Sequence, residues 1–73
     1  MRVWISDPRL IDDLEEFLAV QLDAVHERVA INELEVSPLG SLSESGAAMA
    51  LDLQLRAWEE AHPGVRAEHR YSG

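Results

Sequence analysis

Seventy-three residues make one domain, and at this size folding buries only roughly 60 to 65% of the unfolded surface, so packing alone leaves a modest margin of stability. The chain has no cysteine, which excludes disulfide staples and thiolate metal sites and leaves good packing or a partner subunit to supply what is missing. A formal net charge of -8 counts against broad binding to nucleic acid or a membrane surface, because both reward positive charge.

Met1 to Ser6 alternates, with Met1, Val3 and Ile5 on one side and Arg2, Trp4 and Ser6 on the other, as a half-buried strand does. Asp7 and Pro8 form a helix entrance, the aspartate as cap and the proline preset for the first helical position. Leu10, Ile11, Leu14, Phe17, Leu18 and Leu22 then recur at helical spacing, with Asp12, Asp13, Glu15 and Glu16 on the opposite side, so an amphipathic helix is expected over about 8–22. Residues 23–37 read two ways. As a hairpin, Val25 to Val29 pairs with Leu34 to Ser37 across a turn at Ala30 to Glu33; as helix, nothing forbids continuation, since no glycine or proline lies between Pro8 and Pro38. The β-branched residues Val25, Val29, Ile31 and Val36 favour the hairpin.

Pro38 to Gly40 is read as a loop. Ser41 and Glu44 form a capping box, so a second helix starts near Leu42 and runs to His62, where Pro63 and Gly64 stop it. Its core face holds Ala47, Ala48, Leu51, Leu55 and Trp58, while Leu42, Met49 and Leu53 form a second apolar stripe on its back. Val65 to Tyr71 alternates as a last strand, and Ser72 and Gly73 are expected to fray. The order strand, helix, strand, strand, helix, strand is the split βαβ arrangement of the ferredoxin-like fold: an α+β domain with two helices on one face of a four-stranded antiparallel sheet. The alternative architecture is a long helical hairpin made of residues 8–35 and 42–61.

The stretches VWISDP at the start, ELEVS at 33–37, LDLQLRAW at 51–58 and HPGV at 62–65 resemble small actinobacterial proteins of unknown function. The resemblance covers most of the chain and implies the same fold, but it carries no activity to transfer. Asp23 and Ala24 depart from it, standing where a glycine is expected to end the first helix.

No catalytic pattern emerges. His26, His62 and His69 are expected not to converge on a metal, with His26 and His69 on outer strands and opposite sheet faces. Ser41, Ser43 and Ser45 cluster at a helix start, where capping is serine's ordinary task, and the acids of the first helix sit on a solvated face. No nucleophile elbow, phosphate loop or dinucleotide fingerprint is present. Neither catalytic nor cofactor-binding residues are therefore assigned.

Two surfaces remain. Alternation turns Arg2, Trp4, His26, Arg28, Glu35, Arg66, Glu68 and Arg70 to the open sheet face, which gathers arginines around one tryptophan. That face suits an anionic ligand or an acidic partner segment, or else forms its own cross-strand ion pairs. The strand at 33–37 lacks the aromatics of an RNA-recognition sheet, which argues against nucleic acid. The other surface is the stripe of Leu42, Met49 and Leu53, a candidate subunit interface or a filler of the groove between the helices. No apolar run reaches the ~18 residues of a membrane span and MRVWISDP lacks signal-peptide features, so a soluble cytoplasmic protein is expected. The expected function is a non-enzymatic interaction or assembly module, homo-oligomeric or bound to a protein partner. The alternative is a small-molecule or anion-binding regulatory domain that uses the arginine-rich face.

Overall fold

The computed structural model describes residues 1–22, 24–38 and 44–70. Its elements are β1 (Arg2–Ile5), a 3-10 turn (Pro8–Leu10), α1 (Ile11–Gln21), β2 (Ala24–Ala30), β3 (Glu33–Pro38), α2 (Glu44–Ala61) and β4 (Ala67–Arg70). Residues 24–38 are a hairpin, so neither a continued first helix nor a long helical hairpin forms. The expected cap at Ser41, the stripe position Leu42, most of the 38–40 loop and Tyr71 lie outside the described residues.

Asp7 caps the first helical turn as its sequence suggests. Its Oδ1 accepts the Arg9 backbone N–H at 3.0 Å, and Pro8 occupies the first turn where no donor is needed. The turn is tight, and α-helical geometry begins only at Ile11. At the other end of the helical layer, Val65 N donates to His62 O at 3.1 Å, with Pro63 and Gly64 between them and Gly64 at φ 88°. Proline first and a left-handed glycine second define a type II turn, so this stop is written in the sequence.

The sheet is antiparallel throughout, in the order β2-β3-β1-β4. Val3 and Ile5 of β1, Leu34 and Val36 of β3 and Ala67 of β4 pack with Ile11, Leu14 and Leu18 of α1 and Leu51, Leu55 and Trp58 of α2 in one buried cluster. All these strand residues belong to one sheet face, so both helices cover that face and the other stays open. The α2 arc from Ala47 to Trp58 is buried as its periodicity requires.

The phase of β2 differs from the sequence expectation. His26 stands opposite Val36 and Arg28 opposite Leu34, which puts both on the helix-covered face rather than the open one. Directly opposed residues share a face, and Val36 and Leu34 are core. Two causes combine. The turn is only Ile31 and Asn32, and the register slips between Arg28 and Ala30. No described non-glycine residue has positive φ, so this two-residue turn is not of the primed type that matches strand twist, and a bulge at Val29 takes up the mismatch. His69, opposite the core residue Val3, also lies on the helix side, so His26 and His69 share a face at opposite edges of the sheet.

Candidate functional site

The open face carries Arg2, Trp4, Glu33, Glu35, Glu27, Glu68 and Arg70, placed there by the cross-strand pairs Arg2 with Glu35 and Arg70, Trp4 with Glu33 and Glu68, and Glu27 with Glu35. Arg2 sits between two carboxylates, Nη1 at 3.4 Å from Glu33 Oε2 and Nε at 3.7 Å from Glu35 Oε2. Glu35 also meets the Met1 ammonium at 3.2 Å. Arg66, one residue before β4, reaches Glu68 at 3.7 Å, and the Arg70 guanidinium lies 5.2 Å from the centre of the Trp4 ring. The face thus brings together Arg2, Trp4, Arg66 and Arg70 as expected, and excludes Arg28. Carboxylates from three strands offset the guanidiniums, so the surface is mixed rather than basic.

Arg28 instead joins α1. Its Nη2 donates to Asp12 Oδ1 and lies 3.9 Å from Glu15 Oε2, while His26 Nδ1 lies 3.9 Å from Glu15 Oε1. The hydrogen bond to Asp12 raises the Arg28 pKa above the usual guanidinium value. The acids of α1 are therefore not simply solvated. Asp12 and Glu15 reach over the edge strand to the side chains of Arg28 and His26.

A cluster that the sequence reading missed joins the two helices. The buried Trp58 indole Nε1–H donates to Asp13 Oδ2 at 2.9 Å, and His62 Nε2 lies 3.1 Å from the same oxygen. His62 Nδ1 is 2.8 Å from the Trp58 carbonyl oxygen, and its ring stacks on the indole with centroids 4.1 Å apart. The available signal was the need of a buried indole for an acceptor, together with a histidine four residues later, just past the end of α2. A shallow groove of about 390 Å³ opens beside this cluster, floored by Phe17 and Trp58. Among the described residues no three metal-ligating side chains converge.

The back of α2 is plainly exposed: Met49 at 67% and Leu53 at 64%. They do not fill the groove between the helices, where Trp58 and Asp13 meet instead. One turn apart on the helix, they form an apolar stripe that no described residue covers. No described helix is long and apolar enough to cross a membrane.

No family model, curated protein or solved structure matches this chain. Its own geometry therefore carries any functional reading.

Proposed function

We propose that this chain is a ferredoxin-like βαββαβ domain that works by association, as a small cytoplasmic interaction or assembly module that forms homo-oligomers and has no catalytic role. The order β2-β3-β1-β4 supports the fold reading. The strands linked through α1 flank β3, and those linked through α2 flank β1, giving two interleaved split βαβ units. The four stretches that resemble small actinobacterial proteins fall on β1 and the helix entrance, β3, α2 and the Pro63–Gly64 turn, and kinship with that group is part of the proposal.

The observation that carries the function is the exposed pair Met49 and Leu53 on α2. Two large side chains left in water on one stripe, in a domain with little stability to spare, are best explained by a partner that covers them. Leu42 continues the stripe in sequence at seven-residue spacing. Anion binding at the open face has less support, because Arg2 and Arg66 already lie beside carboxylates and Arg70 lies over Trp4.

Sedimentation equilibrium tests this. The wild type is expected to exceed the 8.2 kDa of one chain as concentration rises. Changing Met49 and Leu53 together to glutamate returns it to one chain without altering its circular dichroism. A double variant that keeps the wild-type mass while folded removes α2 as the interface.

A further inference from the structure

Resting on that reading, we infer that the occupant of the α2 stripe is α2 of a second copy, packed antiparallel across a two-fold axis near Leu53 and locked by two reciprocal Arg56 to Asp52 ion pairs. The first support is charge. The molecule as a whole is strongly acidic, and the exposed side of α1 carries Asp12, Asp13 and Glu16, a surface that repels its own copy. Residues 45–57 of α2 contain only two charges, Asp52 and Arg56, which sum to zero. This is the helical surface on which two copies approach without a local penalty.

The second support is placement. Asp52 and Arg56 are exposed, four residues apart, and lie on the same flank of the Met49 and Leu53 stripe at 100° per residue. In an antiparallel two-fold pair each flank meets its own copy running the other way, as any self-complementary interface requires. With the axis between the levels of residues 52 and 56, Arg56 of each copy stands opposite Asp52 of the other. Leu53 then packs near its symmetry mate. A parallel two-fold pairing sets this flank against the opposite one, which carries Ala50 and Ala57, and loses both ion pairs.

The third support is that Arg56 has no engagement of its own. Arg2, Arg9, Arg28 and Arg66 have carboxylate partners and Arg70 lies over Trp4. Among the described residues Arg56 has no ion pair, hydrogen bond or ring contact. The chain holds its other guanidiniums within itself and leaves this one beside the apolar stripe.

Charge reversal tests the arrangement independently of the stripe. Asp52→Arg and Arg56→Asp, each alone, are expected to weaken self-association about tenfold or more by creating like-charge pairs across the axis, with circular dichroism unchanged. Both changes in one chain restore the wild-type constant, because the reciprocal pairs are only reversed. Mixing the two single variants yields heterodimer in excess of either homodimer by native mass spectrometry. If the single variants associate like the wild type, or the mixture is statistical, the antiparallel pairing is overturned while association through Met49 and Leu53 stands. A wild type that stays at one-chain mass at every concentration overturns both.

Discussion

Trp58 has only 1% of its surface in contact with solvent, so its one polar atom must find an acceptor inside the protein, and Asp13 supplies it from the other helix. Asp13→Ala is expected to cost about 1–3 kcal/mol by leaving the indole N–H unpaired, as chemical denaturation will measure. Asp13→Asn keeps an acceptor oxygen, and its cost should be clearly smaller; equal costs would mean that the carboxylate charge beside His62, not the indole bond, is what matters. The fully buried Leu51 reports on packing instead. Leu51→Ala should cost roughly 2–5 kcal/mol, and a loss below about 1 kcal/mol would contradict its central place in the core. Asp7 offers a pH test. The side-chain hydrogen bond from Arg9, helped by the backbone bond of the cap, lowers its pKa below the ordinary carboxylate value. A carboxyl whose folded pKa is depressed contributes stability above its unfolded pKa and loses it as pH falls through the lower folded value. The expected NMR titration midpoint of Asp7 is therefore lower than in an unfolded peptide, and Arg9→Ala should move it upward.

At the level of elements, what could be read from the sequence depended on whether the signal was local. The alternation of Val3 and Ile5, the cap at Asp7 with Pro8, the arc from Ala47 to Trp58 and the Pro63–Gly64 turn are each decided within a few residues, and each forms as expected. Strand β2 has no such signal. One side of it reads Val25, Glu27, Val29 and the other Ala24, His26, Arg28, Ala30, so apolar and polar residues fall on both and its composition does not choose a face. The choice is made by the register with β3, the bulge at Val29 and the acids of α1, all non-local. The bond between Asp13 and Trp58 was illegible for the same reason, since the two residues are 45 apart in sequence. The phase of β2 is open to a paired test. Arg28→Glu brings a third carboxylate to Asp12 and Glu15, so its thermal midpoint should fall and partly recover in 1 M salt. Val25→Lys places a cation on a side chain already 56% exposed and should leave the midpoint nearly unchanged. The opposite ranking would return Arg28 to the open face.

For the whole molecule, net charge sets the sign of the salt response, and the sign separates the two functional readings. Two copies each carrying -8, with centres about 23 Å apart as the smaller dimensions of the molecule allow, repel by about 12 kcal/mol in unscreened water. Screening over the finite size of the molecule reduces this to about 2 kcal/mol at 0.1 M salt, where the Debye length is about 10 Å, and to under about 0.5 kcal/mol at 1 M, where it is about 3 Å. The reciprocal Arg56 and Asp52 pairs are exposed and contribute about 0.2–1 kcal/mol each, also weakened by salt. The repulsion relieved is comparable to or larger than the attraction lost, and apolar burial at Met49 and Leu53 is not screened. Self-association should therefore tighten on raising salt from 0.1 to 1 M, by up to about tenfold at 1.4 kcal/mol per decade. An acidic peptide or multivalent anion held by Arg2, Arg66 and Arg70 would show the reverse, because its binding is attractive and screened. Sedimentation equilibrium at the two salt concentrations, alongside an anion titration followed by Trp4 fluorescence in a Trp58→Phe background, sets the two responses side by side. Association that weakens with salt would sink the apolar interface and return the open sheet face to the centre of the protein's function.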